Sequence, residues 1–203
     1  MIKTEAKKIN VGLPKGFLNE KSLDLIERLL NKKIDKNLLK FKSKGINFYL
    51  LKLRDIPVLL EKRDLDIGIT LTEWINECGS KLTVITELDW YKGKISLIAK
   101  VGFMKKLNKK ITCVTEYPRI AEGFFKKKRI KNFKIQKISG SSEGLVPEMY
   151  NCCIDCVETG KTIKRQKLNE EYIIIKTKTV LVKRSGSINK QLRKTIKLIQ
   201  KFA

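Results

Sequence analysis

The sequence predicts an α/β fold of two lobes, each a mostly parallel sheet covered by helices. Three observations predict it. Short apolar and β-branched runs alternate with stretches of helical periodicity almost from the first residues. Pro, Gly and Asn punctuate the changes from one to the other. The chain has 203 residues, 42% of them hydrophobic, enough for two small cores. Repeated β-α-β units give parallel pairing. A single doubly wound sheet is the alternative arrangement at this length.

Taken in order, Ile9 to Leu13 is a short apolar run closed by Pro14-Lys15-Gly16, a strand and its turn. From Asn19, Leu23, Leu25, Ile26, Leu29 and Leu30 recur at helical spacing. Ile46 to Leu53 reads as a strand. Asp55 reads as the N-cap of a helix whose first turn takes Pro57, where a missing N–H does no harm. Leu65 to Ile69 is a further strand, and Thr72 to Cys78 a short helix closed by Gly79. The rhythm changes near Trp90. Lys94 to Ala99, Ile111 to Thr115 and Phe133 to Ile138 read as strands, with a helix from Pro118 to about Lys128. Asn151 to Val157 is another strand, and Tyr172 to Val182 one or two more. Ile188 to Phe202 is an amphipathic helix with Ile188, Leu192, Ile196, Ile199 and Phe202 on one face.

The formal net charge of +24 invites a polyanionic partner. Yet the lysines are spread along the whole chain, densest only at Lys126-Lys127-Lys128-Arg129 and from Lys161 to Lys167. No aromatic-interleaved basic repeat of the kind that stacks bases is present. The charge therefore fits a solvated surface, or an enzyme of anionic substrates, better than a nucleic-acid-binding protein. No stretch approaches the roughly 20 apolar residues of a membrane helix, and Met1 to Lys8 lack the apolar core of a secretory signal. A cytoplasmic protein is expected.

Cysteines 78, 113, 152, 153 and 156 are odd in number and irregularly spaced, which fits a reducing compartment without disulfides. Cys152-Cys153-x-x-Cys156 has no fourth ligand to complete a zinc site, because the chain contains no histidine and no second Cys pair. These thiols read as small core residues of a strand. The lack of histidine also removes every mechanism that uses it as base or ligand.

The chemistry concentrates in Asp155-Cys156-Val157-Glu158-Thr159-Gly160-Lys161-Thr162. A strand delivering Thr-Gly-Lys-Thr into a turn presents consecutive N–H groups to one point, and a helix beginning there strengthens the site for a phosphate. Thr159 and Thr162 add hydroxyls, and Gly160 lets the backbone approach an anion closely. A Walker A loop needs glycine where Asp155 stands, so this is not one. Asp155 and Glu158 would repel a bare phosphate cluster but can accept hydrogen bonds from the 2- and 3-hydroxyls of a ribose. An ordinary acidic turn is the plain alternative. An apolar strand, two acids and then Thr-Gly resembles the loops that bind phosphoribosyl diphosphate.

With that loop in place, most of the chain resembles the short form of the ATP phosphoribosyltransferase family, which opens histidine biosynthesis. The resemblance rests on blocks in order: Val11-Gly12-Leu13-Pro14-Lys15-Gly16; Leu53-Arg54-Asp55-Ile56-Pro57 with Asp64-Leu65-Asp66-Ile67-Gly68-Ile69; Glu116-Tyr117-Pro118-Arg119-Ile120-Ala121; Gly140-Ser141-Ser142-Glu143; and the Asp155 to Thr162 loop. It implies two lobes resembling type II periplasmic binding proteins, with the active site in the inter-lobe cleft. Residues 1–88 plus 176–203 would form lobe I, and residues 89–175 an inserted lobe II carrying the phosphoribosyl-binding loop. It implies Mg²⁺, the substrates ATP and phosphoribosyl diphosphate, a homo-oligomer, and a separate regulatory subunit resembling histidyl-tRNA synthetase.

By the same resemblance, N1 of ATP attacks the anomeric carbon of phosphoribosyl diphosphate and expels pyrophosphate. Asp155, Glu158, Thr159, Gly160, Lys161 and Thr162 would hold the phosphoribosyl diphosphate. Glu143, Gly16, Asp55 and Thr70 would face ATP. Lys15 and Arg54 are the candidates for stabilising charge on the leaving group. The chain departs from the family at three places. Phe17 stands where the family usually has an arginine after Pro-Lys-Gly. The segment from Asp35 to Lys44 offers only lysines, such as Lys36 or Lys40, where the family carries another arginine. Met149-Tyr150-Asn151 replaces a Gly-Leu-Ala-Asp. Lysine supplies charge but no bidentate fork.

Overall fold

The computed structural model describes residues 8–43, 45–105, 110–140 and 142–203. The reading of residues 1–7 as free of a signal sequence, and Ser141 of the Gly140 to Glu143 block, lie outside the described residues. The elements in chain order are β1 (Ile9–Pro14), α1 (Asn19–Leu30), β2 (Lys40–Ser43), β3 (Ile46–Leu51), α2 (Asp55–Glu61), β4 (Ile67–Leu71), α3 (Thr72–Cys78) and β5 (Leu82–Ala99). There follow β6 (Ile111–Thr115), α4 (Pro118–Lys127), β7 (Phe133–Lys137), β8 (Cys152–Val157), α5 (Lys161–Arg165), β9 (Asn169–Arg184) and α6 (Lys190–Phe202). They form two compact units: residues up to Tyr91 with Lys178–Ala203, and Lys92–Thr177.

In the first unit the strand order is β2-β3-β1-β4-β9. β1 runs parallel to both β3 and β4, while β2 and β9 lie antiparallel on the flanks. The parallel trio therefore ends at one edge, where Lys15, the Lys52–Arg54 segment and Thr72 follow. One face is covered by α1 and α6, whose Leu23, Leu25, Ile26, Leu192, Ile196 and Ile199 bury against Val11, Leu13 and Phe48. On α2, Ile56 and Leu60 pack with Val180 and Val182 of β9. Their close approach needs glycine: a Cβ on Gly68 would stand 2.6 Å from Ile56 Cγ2, and one on Gly12 2.6 Å from Leu65 Cδ1.

In the second unit the order is β5-β8-β6-β7, with β6 parallel to β7 and β8, and β5 antiparallel to β8. Pro118 opens α4, where its missing N–H costs nothing. The helix buries Ile120, Ala121, Phe124 and Phe125. Ile98, Val114, Cys153, Val157, Ile163 and Leu168 make a second core cluster beneath the exit of β8.

Several boundaries differ from the sequence reading. β5 begins at Leu82, well before Lys94; in its first half only Leu88 is buried and apolar Val84 is exposed, so no buried apolar run announces it. β2 buries only Phe41. β4 spans Ile67–Leu71, two residues later than expected, and β9 is one strand. The α2 cap is Arg54, and Asp55 is the first helical residue. The chain already turns at Lys52, whose carbonyl accepts the Asp55 N–H at 3.0 Å, so the expected Asp55 cap is displaced by one position and its carboxylate makes no capping bond.

Candidate functional site

On the second unit, the loop after β8 is pinned at both ends. Val157 and Ile163 are 4% and 5% exposed and pack together with Leu168. Between them Glu158, Thr159, Lys161 and Thr162 are exposed. Gly160 caps α5 at φ +69°, a left-handed conformation that favours glycine. A Cβ there would meet no atom within 4 Å, so the space over Gly160 is open and not filled by packing. The first amides of α5 have no carbonyl partner within the helix. The Lys161 N–H points to Thr159 Oγ1 at 3.5 Å. With Glu143, Cys156 and Thr162, the loop lines an open concavity.

Asp155 leaves the strand half-buried, and both its oxygens are used. Oδ2 accepts the Ser142 hydroxyl at 2.5 Å and the Ser142 N–H at 3.4 Å; Oδ1 accepts the Cys156 N–H at 2.7 Å. Ser142 is fully buried and starts the single turn Glu143–Leu145. Asp155 thus holds the Glu143 turn against the loop, and each carboxylate oxygen keeps acceptor capacity. The Glu143 carboxyl is half-buried; burial raises its pKa above the ordinary range, and the charge on Asp155 adds to the rise.

A second concavity borders the same loop and includes Lys94. Lys94 pairs with Glu170 at 2.5 Å, and Glu170 also accepts the Ser96 hydroxyl at 2.6 Å. This fixed cation was absent from the sequence reading. Lys94 and Ser96 do share one face of β5 by strand alternation, but their acid arrives from β9, which spacing alone does not reveal. Cys152 and Cys153 are fully buried on β8. Bonding to Cys113 with burial raises the Cys152 thiol, and burial raises Cys153, so both stay protonated and unreactive.

On the first unit, the edge where β1, β3 and β4 end gathers the other predicted residues. Lys15 is exposed, and its N–H donates to Leu51 O at 2.7 Å. Gly16 takes φ +86° and opens the turn Gly16–Leu18. Ser22 of α1 donates its hydroxyl to Pro14 O at 2.7 Å, fixing this turn. Arg54 is half-buried and Asp55 exposed at the start of α2. Thr70 is fully buried and donates its hydroxyl to Leu53 O at 3.0 Å, which gives it the role of positioning the Arg54 segment from behind. Phe17 is 63% exposed, with its ring 4.9 Å from that of Tyr91 and inclined at 66°. Lys36 and Lys40 are exposed, and the Lys40 ammonium lies 5.1 Å over the Tyr49 ring.

Sequence reasoning missed Glu73, in the first turn of α3 at this same edge. It is 1% exposed, its Oε2 has no hydrogen-bond partner, and burial pushes its carboxyl up to about 7. An acid in a first helical turn is ordinary in sequence, so no local pattern marks it.

Comparison with known proteins bears on this arrangement. A family model described as ATP phosphoribosyltransferase matches residues 52–203. The ATP phosphoribosyltransferase of Petrotoga mobilis is 30% identical over 182 residues, covering 86% of this chain and 84% of that protein. That of Brachyspira hyodysenteriae is 28% identical over 199 residues, covering 93% and 96%. Among solved structures, the ATP phosphoribosyl transferase (HisG:HisZ) complex from Thermotoga maritima superposes with a TM-score of 0.83 at 19% identity, covering 96% of this chain and 98% of that one. The probable amino-acid ABC transporter extracellular-binding protein of Bacillus subtilis gives 0.54 at 14% identity, covering 97% and 91%. These structural likenesses speak for the fold.

Proposed function

Because the chain belongs to the ATP phosphoribosyltransferase family, we infer that it transfers a phosphoribosyl group from phosphoribosyl diphosphate to N1 of ATP. The products are phosphoribosyl-ATP and pyrophosphate, and the pathway is histidine biosynthesis. The observation that carries this reading is the loop after β8, where two carboxylates stand beside an open, glycine-capped helix start.

We assign the residue roles from the family resemblance, with the loop geometry in support. Thr159, Gly160, Lys161 and Thr162 hold the 5-phosphate through amides and hydroxyls. Asp155 and Glu158 accept the ribose hydroxyls, Asp155 through the capacity left after Ser142 and Cys156. Lys94, held by Glu170, adds a fixed cation beside the loop. Lys15 and Arg54 stabilise negative charge as pyrophosphate departs. Glu143, Gly16 and Asp55 face the nucleotide, and Thr70 sets the backbone ahead of Arg54. In this reading Glu143, with its raised pKa, would take the proton that the adenine amino group sheds once N1 is alkylated.

Among the described residues no group of three or more Asp, Glu or Cys converges as a metal cage. Mg²⁺, which favours oxygen ligands and retains water, would be carried on the substrate phosphates. The metal would neutralise charge on the diphosphate leaving group.

The Thermotoga maritima structure is a HisG:HisZ complex, and we extend that to this chain: a regulatory partner resembling histidyl-tRNA synthetase, and self-association. No described helix is long and apolar enough to cross a membrane, and a cytoplasmic setting suits the substrates. Phe17 favours one second reading, a ligand-binding subunit with little turnover of its own, because phenylalanine cannot neutralise a phosphate. Pyrophosphate release measured with and without the partner separates the two: turnover supports transfer, and ligand-induced thermal stabilisation without release supports the second.

A further inference from the structure

A third concavity lies on the first unit, at the end of the sheet where β1, β3 and β4 begin, opposite the edge of Lys15 and Arg54. It is lined in part by Arg63, Asp66, Lys183, Arg184, Ser187 and Asn189. Three segments bring these residues together. Arg63 and Asp66 stand between α2 and β4. Lys183 and Arg184 close β9, which runs antiparallel to β4 with Lys183 opposite Ile67. Ser187 and Asn189 lie in the turn from β9 into α6. No residue of the loop after β8 takes part.

Lys183 sets the electrostatics. It is 7% exposed, and its ammonium donates to the carbonyls of Arg184 at 3.1 Å and Gly186 at 2.8 Å. Both acceptors are neutral, and an ammonium has a third N–H to give. A buried charge without a counter-ion is costly. Yet among the described residues no carboxylate pairs with Lys183, and none pairs with the exposed Arg63 or Arg184. Asp66 is the one acid of the lining, and its Oδ2 is taken by the Asn10 N–H at 2.8 Å. Three cations against one carboxylate leave the lining with a net charge of +2. Neutral donors add to it. Asn189 spends its Oδ1 on the Leu192 N–H at 2.8 Å, which keeps its side-chain amide N–H groups available, and the positive end of α6 begins there.

A phosphoryl group answers that charge, since a phosphomonoester carries about −1.5 to −2 near neutral pH. Its oxygens take the planar fork of an arginine two at a time, a match that a point charge does not make. A single carboxylate would leave about half of the charge unanswered. The lining is concave, which favours a small molecule over a long polymer laid across a face. We propose that this concavity binds the phosphoryl group of a small molecule, with Arg63 and Arg184 as its forks and Lys183 as a fixed buried charge. The site is separate from the phosphoribosyl loop, and the inference does not depend on the transfer reading.

The test is calorimetric titration of the full chain carrying Gly160→Asp, which closes the loop after β8 to anions, at about pH 8 and constant ionic strength. The probes are inorganic phosphate, glycerol phosphate, malonate and a single-stranded oligonucleotide. Inorganic phosphate and glycerol phosphate are each expected to bind with a dissociation constant of roughly 1 mM or below. Arg63→Gln combined with Arg184→Gln weakens both about 10-fold or more. Arg193→Gln, which removes an exposed cation of α6 outside the concavity, changes them by less than about 2-fold. Either single substitution, read in the same way, decides the matter if the pair does not fold. Absence of phosphate binding, or an equal loss in Arg193→Gln, overturns the assignment. So does malonate held as tightly as phosphate, which makes the site one for carboxylates. An oligonucleotide that binds through these arginines more tightly than phosphate also overturns it, and gives the surface to nucleic acid.

Discussion

The hydroxyl of Ser142 donates to Asp155 Oδ2 at 2.5 Å, tying the turn that carries Glu143 to β8 and the loop that follows it. Ser142 is fully buried and the bond is charge-assisted, so it ranks among the stronger single contacts of the unit.

Ser142→Ala removes that bond and leaves a carboxylate oxygen short of a donor, a loss of roughly 1.5–3 kcal/mol shared between folding and loop order. The dissociation constant for phosphoribosyl diphosphate rises up to about 10-fold, and the melting temperature falls by several degrees. Calorimetry with phosphoribosyl diphosphate checks the assignment: an unchanged dissociation constant argues against a role of this bond in ordering the loop.

Gly160→Ala tests the cradle. The left-handed φ of +69° costs a residue with a Cβ about 1 kcal/mol. Space is open there, so the fold survives, and thermal unfolding moves little. Affinity for phosphoribosyl diphosphate falls further than stability does, and Gly160→Asp, which adds a negative charge beside the phosphate, removes binding altogether. Preserved binding in Gly160→Asp refutes the phosphate assignment.

Arg54→Ala and Lys15→Ala address the leaving group. Each should lower kcat about 100-fold with a small change in KM for ATP, the scale on which single groups stabilise developing charge. Arg54→Lys recovers part of the loss, because lysine keeps the charge and loses the fork. Steady-state pyrophosphate release resolves kcat from KM, and a loss confined to KM moves these residues from chemistry to binding.

Glu73 gives stability a pH signature. Its carboxyl titrates at about 7 in the folded protein against an ordinary 4.5, so its contribution is fully present below about pH 4.5 and is lost as pH rises through about 7. At about 1.4 kcal/mol per unit, stability falls by roughly 3 kcal/mol across that window from this group alone. Glu73→Gln flattens the slope and is the more stable protein at pH 8. Denaturant unfolding between pH 5 and 8 measures both, and parallel curves for wild type and variant contradict the assignment.

The strand, turn and helix start around Gly160 were legible because their signals are local: strand, acids, glycine and lysine follow one another within eight positions, Asp155 to Thr162. Helices α1, α4 and α6 were legible for the same reason, through apolar spacing. What escaped depends on partners far along the chain. The block ending in Glu143 was visible, but not that Ser142 would bond Asp155. The burial of Glu73 is a tertiary property, and so is the clamp of Glu170 on Lys94. The first half of β5 escaped because only Leu88 of it is buried and apolar Val84 is exposed beside Thr83, and β2 because a single buried Phe41 is too little pattern. Thr70 was expected at the nucleotide, and its hydroxyl is turned inward to Leu53 O.

The central claim is tested most directly by mixing the chain with ATP, phosphoribosyl diphosphate and Mg²⁺, with and without a histidyl-tRNA-synthetase-like regulatory subunit, and measuring phosphoribosyl-ATP. The expected result is product with equimolar pyrophosphate, abolished by Gly160→Asp. Absence of phosphoribosyl-ATP under both conditions, from protein that is folded, contradicts it.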